Sequence, residues 1–323
     1  MKKRPVIQVF ALGGTIAMTP AQGAGVVPSL SASDLVAAVP GLADVADVRA
    51  ETLVQKGSAN LDFKLIADIC ARAAKSDADG IVVTQGTDSM EESSFLASLL
   101  WGVGKPLVFT GAMRTPNQPG ADGPANLMDA VTVAAHAPAG VYLVMNGEVH
   151  DPWRVSKEHT TSVGAFWSRG GPMGALVEGE IHWRAPVPAR LALSRPEAAA
   201  FAPVALISAC LDDDGRLLSA IAHAGYEALV VEAFGAGHLS EIWADKAVAL
   251  AGHMPVIFAS RAKDGRVLEG TYGYVGAEID LIARGLVPAG GLSGRKARIL
   301  LSLLLKKDRD GWRQAFTSAA KSV

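Results

Sequence analysis

Short runs of uninterrupted apolar residues alternate along this chain with longer segments of helical periodicity. That alternation limits the fold more than any other feature. Runs at 6–12, 48–54, 81–84, 107–110, 141–146, 204–208, 228–231 and 256–259 read as strands. Between them, 34–39, 63–75, 91–100, 125–136, 217–223, 239–251 and 295–305 read as helices. Most of the runs are apolar at every position rather than at alternate ones, which requires burial on both faces. Strands of that kind, each followed by a helix, build a parallel sheet with helices on both sides, so the spacing predicts an α/β fold. A Pro-rich break at 185–203, holding Pro186, Pro188, Pro196 and Pro203, reads as an interdomain connection. The expected organisation is a larger α/β domain at 1–190 with a mainly parallel sheet, and a smaller α/β domain at 203–323.

Composition narrows the function. Hydrophobic residues are 50% of the 323 and charged residues 19%, ample for a sizeable core. Thirty basic against 32 acidic side chains leave a formal net charge of −2, without the long-range field of a dedicated nucleic-acid binder. Cys70 and Cys210 cannot form a disulfide scaffold and read as two reduced, mostly buried thiols. The seven histidines show neither an HExxH pattern nor short pairing with cysteine, so no metal site is expected. No run reaches the ~18 apolar residues of a membrane span. The basic start Met1-Lys2-Lys3-Arg4, followed by the apolar run 6–12, imitates a signal peptide. The run is short and ends in Gly13-Gly14, so it reads as a first buried strand and the expected location is the cytoplasm.

In a parallel sheet, ligands bind outside the carboxyl ends of the strands. The segments that follow the first four strands are Gly13-Gly14-Thr15, Gly57-Ser58, Gln85-Gly86-Thr87-Asp88 and Gly111-Ala112-Met113-Arg114. Two present a threonine hydroxyl beside glycine, where backbone can approach a small substrate closely. Neither glycine segment is a Walker A loop or a GxGxxG fingerprint. Blander readings stand beside these: Asp88 and Glu91 at capping-box spacing, Gly13-Gly14-Thr15 as an ordinary tight turn, and Lys157 as a solvated lysine. Spacing alone does not bring Lys157 to Thr87, 70 positions away.

Several stretches, in order, resemble the bacterial-type L-asparaginase family. Residues 11–17, with Gly13-Gly14-Thr15, are similar to its first signature, and 83–92, with Gly86-Thr87-Asp88, to its second. Gly111-Ala112-Met113-Arg114 with 121–127, the lysine-bearing 154–160, and 285–298 are similar to later segments, so the resemblance spans nearly the whole chain. It implies hydrolysis of a side-chain amide to aspartate and ammonia without a cofactor, by a homodimer or homotetramer acting on a small-molecule amide. It implies Thr15 as primary nucleophile and Thr87, Asp88 and Lys157 as the second catalytic group. It also implies Gly57, Ser58, Gly86, Asp88 and Ala112 around the substrate, and contributions by His238 and Glu278 to a neighbouring copy's site. These roles are chemically coherent, since a threonine hydroxyl needs a base or a polarising neighbour and backbone N–H groups beside glycine can hold an oxyanion.

The chain also departs from the family pattern. The lid segment 18–28 lacks the tyrosine that relatives carry, and Thr19 and Gln22 are its only side chains with polar hydrogen-bonding groups. Ala59 stands where many relatives have glutamine, Gln85 where histidine is usual, and His238 where asparagine is often found. The amide-hydrolysis core is thus present while the shell that reads the rest of the substrate is altered. An L-asparaginase is the first expectation. A related amidase for glutamine, a D-amino-acid amide or another small amide is the alternative, and a catalytically weak binding or regulatory protein is the third. Gly23 and Gly25 favour a mobile lid over the site, or simply a flexible surface loop.

Overall fold

The computed structural model describes residues 3–23, 25–190 and 192–323, so Met1 and Lys2 of the basic start lie outside the described residues. The chain divides into two units after Ala198. Strands of the first unit are, in chain order, β1 (Val6–Gly13), β2 (Met18–Pro20), β3 (Val26–Pro28), β4 (Asp47–Lys56), β5 (Gly80–Thr84), β6 (Pro106–Thr110), β7 (Gly140–Met145), β8 (Glu148–His150), β9 (Val155–Lys157), β10 (Phe166–Ser168), β11 (Gly174–Val177) and β12 (Glu180–Trp183). Its helices are α1 (Ala32–Ala37), α2 (Leu42–Val45), α3 (Phe63–Lys75), α4 (Met90–Leu100) and α5 (Gly123–His136).

Eight of these strands form one sheet in the order β12-β11-β8-β7-β6-β5-β1-β4. From β4 to β7 all neighbours are parallel, while β8, β11 and β12 are added antiparallel. Strands β5 and β6 are buried at every residue, as uninterrupted apolar runs require. Strand β4 departs from that pattern and alternates exposed with half-buried positions, because it is the outer edge of the sheet. Val9, Val82, Val108 and Val144 from four strands pack with Leu127, Ala130 and Val131 of α5. Asp62 caps α3 through the Leu65 N–H at 2.7 Å. Helix α4 is buried nearly all round, so its sequence shows little amphipathic contrast.

The second unit holds β13 (Val204–Ser208), β14 (Ala228–Ala233), β15 (Val256–Ser260) and β16 (Val287–Pro288), paired in that order and all parallel. Its helices are α6 (Arg216–Ile221), α7 (Glu241–Ala251), α8 (Glu278–Ala283), α9 (Gly294–Lys307) and α10 (Trp312–Lys321). Trp243 and Phe258 sit at the centre of its core. The protein is thus a two-domain α/β structure, as the alternation predicts.

Two local expectations fail. Cys70 is buried, and burial pushes its thiol up to about 12, but Cys210 is exposed because it lies beyond the end of β13. The Asp88–Glu91 capping box is absent: the position before α4 is Ser89, which makes no side-chain cap, and Glu91 is turned to another use described below. Among the described residues, no helix is long and apolar enough to cross a membrane.

Candidate active site

The loops after β1, β4, β5 and β6 meet at the carboxyl edge of the first unit's sheet, and glycine is what lets them meet. Gly14 has φ 81°, and a Cβ there would stand 2.1 Å from the Gly86 nitrogen. A Cβ on Gly86 would in turn lie 2.9 Å from Ser58 Oγ, and one on Gly111 would lie 2.4 Å from the Gln85 carbonyl oxygen. Any side chain at these positions would push the Thr15, Ser58, Thr87 and Ala112 loops apart. Gly57 leads into the Ser58 turn, closed by the Asn60 N–H on the Gly57 carbonyl at 3.0 Å. Ser89 Oγ donates to the Ser58 carbonyl at 2.9 Å and ties that turn to the Thr87 loop.

The two threonines are held differently. Thr15 opens a short 3₁₀ turn after Gly14; it is half-buried, and its hydroxyl has no hydrogen-bond partner among the described residues. Thr87 is buried, and Lys157 Nζ donates to its Oγ1 at 2.9 Å. The same nitrogen lies 2.5 Å from Asp88 Oδ1. The Lys157 side chain is 13% exposed, whereas Asp88 is 76% exposed. Lys157 is therefore not the solvated lysine of the bland reading; it is enclosed against Thr87, with the Asp88 carboxylate open to solvent on its other side.

Lys157 reaches Thr87 because its backbone is fixed. It ends β9, which pairs with β10 through Phe166. The next residue donates from Glu158 N to the Ala165 carbonyl at 2.7 Å. Glu91, buried in the first turn of α4, accepts the Lys157 N–H on Oε2 at 2.7 Å. This is the use that displaces the capping box: a carboxylate one turn beyond Thr87 anchors the strand that delivers Lys157.

Ala112 is fully buried, and its loop is braced by a small polar network. Asp122 accepts from Met113 N at 2.9 Å and Arg114 N at 2.9 Å. Asn126 Nδ2 donates to the Gly111 carbonyl and to Asp122, each at 3.0 Å, while its Oδ1 accepts from Asn146 N at 2.9 Å. Glu91, Asp122 and Asn126 fall inside the family-like stretches 83–92 and 121–127, but the sequence alone gives them no function at the site. The four-residue spacing of Asp122, just before α5, and Asn126, one turn into it, was the available signal.

Within the segment 18–28, of which Ala24 lies outside the described residues, β2 pairs antiparallel with β3, and Val26 and Val27 are exposed. Thr19 Oγ1 pairs with Ser29 Oγ at 2.6 Å, so the one hydroxyl of 18–28 is already engaged. In the second unit, His238 and Glu278 are partners: Nε2 lies 3.2 Å from Glu278 Oε2, and Tyr274 Oη meets Nδ1 at 2.9 Å. Burial would raise the Glu278 carboxyl. The N–H groups of Tyr272, Thr271 and Glu278 itself, with the His238 ring, outweigh it and hold the carboxyl below its usual range.

Comparison with known proteins gives a consistent result. The profile of the N-terminal asparaginase domain matches residues 6–189, and that of the glutaminase/asparaginase C-terminal domain matches 203–315. L-asparaginase 2 of Escherichia coli is 33% identical over 95% of this chain and 90% of its own length. A probable periplasmic L-asparaginase of Haemophilus influenzae is 32% identical over the same shares. The solved structure of a probable cytoplasmic L-asparaginase from Campylobacter jejuni superposes with a TM-score of 0.86 at 28% identity, covering 98% of this chain and 99% of that one.

Proposed function

This chain belongs to the bacterial-type asparaginase family, and we propose that its threonine site hydrolyses the side-chain amide of L-asparagine to L-aspartate and ammonia. The observation that carries the assignment of residues is the single nitrogen of Lys157 set between Thr87 Oγ1 at 2.9 Å and Asp88 Oδ1 at 2.5 Å.

Thr15, whose hydroxyl is unengaged, is the nucleophile. Its Oγ1 attacks the amide carbon, the C–N bond breaks, and the threonine proton passes to the departing nitrogen, which leaves as ammonia. Water then attacks the ester, releasing aspartate and restoring the Thr15 hydroxyl. Thr87 and Lys157 form the second catalytic group, with Thr87 Oγ1 and Lys157 Nζ as a path for the proton. Asp88 completes the group and, with its exposed oxygen, receives the substrate α-ammonium. Ser58, with Gly57, fixes the substrate's other end. Backbone at Gly86 and Ala112 faces the amide. With no tyrosine in the segment 18–28, the Thr87–Lys157 pair carries most of the proton transfer.

The His238–Glu278 pair is assigned to the site of a neighbouring copy in a homodimer or homotetramer. The cytoplasm is the proposed location, supported by the name of the Campylobacter structure. Ala59 and His238, which alter the shell that reads the amino acid, favour a second reading in which glutamine or another small amide is the better substrate. Ammonia release from L- and D-asparagine, L-glutamine and peptide amides tests both. Turnover of L-asparagine that disappears in Thr15→Ala and Lys157→Met supports the first reading, preference for another amide supports the second, and no turnover of any amide refutes both.

A further inference from the structure

At the other end of the strands, where β6 and β7 begin, the first unit encloses a cavity of about 350 Å³, within the ordinary range for small-ligand sites. Its walls are the end of α4 and the turn after it, the start of β7, the turn after β8, and the segment 187–190. Most of that wall is apolar or aromatic, including Trp101, Tyr142 and Trp153.

The polar groups in the wall have an uneven balance of donors and acceptors. Asp151 accepts one bond on each carboxylate oxygen, Oδ1 from Trp153 N at 3.0 Å and Oδ2 from Arg190 Nη2 at 2.8 Å, so its charge is already paired with the guanidinium. Arg190 lies with its guanidinium carbon 4.3 Å from the Trp153 ring centre and is 18% exposed. Among the described residues it donates only to Asp151, so most of the fork's N–H groups are unspent. Trp153 is 7% exposed, and its Nε1 is buried without a partner. The Tyr142 and Trp101 protons are already given to the carbonyls of Pro138 and Lys105, both at 2.8 Å. The cavity therefore offers a stacked guanidinium with donors to spare, and its one carboxylate is already paired with that guanidinium.

We propose that this cavity is a second ligand site, for a small carboxylate carried on a flat apolar body. The carboxylate would take the free edge of Arg190, in the planar geometry that guanidinium favours, and the apolar body would lie between the aromatic walls. A free amino acid is disfavoured, since its α-ammonium would meet the Arg190 guanidinium and only a carboxylate already paired with it. The site is thus distinct in chemistry, as well as in place, from the threonine centre, and its existence does not depend on the amide reaction.

Phenylacetate is the probe, titrated by calorimetry against the full-length protein. Binding at one site with Kd below about 1 mM is expected, with 2-phenylethanol and L-phenylalanine each at least ~10-fold weaker. Saturating L-aspartate should leave the affinity unchanged. Arg190→Met should weaken phenylacetate at least ~10-fold, whereas Asp151→Asn, which frees the guanidinium from its competing carboxylate, should tighten it. If Arg190→Met does not fold, Arg190→Lys, which keeps the charge beside Asp151 but loses the planar fork, reads the same loss. Absence of binding at 10 mM or so, displacement by L-aspartate, equal binding of the neutral or zwitterionic probe, or any pattern other than loss at Arg190 with gain at Asp151 overturns the proposal.

Discussion

Glu91 offers the sharpest test of how the site is assembled. Its buried carboxylate accepts the Lys157 N–H at 2.7 Å and touches no proposed reacting atom through that bond. A hydrogen bond to a charged partner contributes roughly 1.5–3 kcal/mol, and here that energy holds β9 where Lys157 can reach Thr87. If Glu91→Ala loses it entirely, the equilibrium constant for Lys157 being in place falls by roughly 10- to 150-fold, and kcat falls by up to that factor. Glu91→Gln keeps an acceptor oxygen and loses only the charge, so its kcat should stay within about 10-fold of wild type. The decisive measurement repeats Glu91→Ala in a Lys157→Met background, with ammonia release giving kcat and thermal melting confirming the fold. There the substitution should change the residual kcat by less than about twofold, because the group it positions is gone. An equal loss in both backgrounds, or wild-type kcat in Glu91→Ala, would refute the idea that Glu91 acts through Lys157.

The remaining predictions concern the reacting groups and one buried titration. Thr15→Ala and Thr87→Val should each lower kcat by ~10²–10⁴-fold while circular dichroism and Tm stay near wild type, since both side chains sit in loops beyond the strand ends. Lys157→Met combined with Thr87→Val should be scarcely slower than either change alone; additive losses in single-turnover rates would separate their roles. Thr19→Val should leave kcat within about threefold of wild type, because the Thr19 hydroxyl is paired with Ser29 at 2.6 Å, and a loss on the scale of a missing general base would put the proton transfer in the segment 18–28. Burial pushes His150 from 6.5 down to about 4, so the unfolded chain takes up its proton first as pH falls. The wild type should therefore lose about 3 kcal/mol relative to His150→Gln between pH 6.5 and 4, and parallel denaturation curves across that window would count against the buried neutral imidazole.

Much of the fold and part of the site were legible in the chain because they rest on local chemistry. Burial on both faces leaves unbroken apolar runs, so β1, β5, β6 and β7 could be read directly, and α3 showed its periodic face. The short strands β8 to β12 were not legible, because three or four residues with mixed burial carry too little pattern. Helices α8 and α10 went unread for related reasons: the first is a single short segment, and the second buries only Phe316 and Ala320. The sequence by itself determined an α/β chain with Thr15 and Thr87 placed just past strand ends, since residue period and glycine position are properties of neighbours along the chain. Only the tertiary structure decided that Lys157 lies 2.9 Å from a threonine 70 positions earlier, that Glu91 anchors its strand instead of capping a helix, and that Arg190 lies across Trp153 at the opposite edge. Those contacts depend on how elements distant in sequence pack together, and a one-dimensional pattern holds no distance between them.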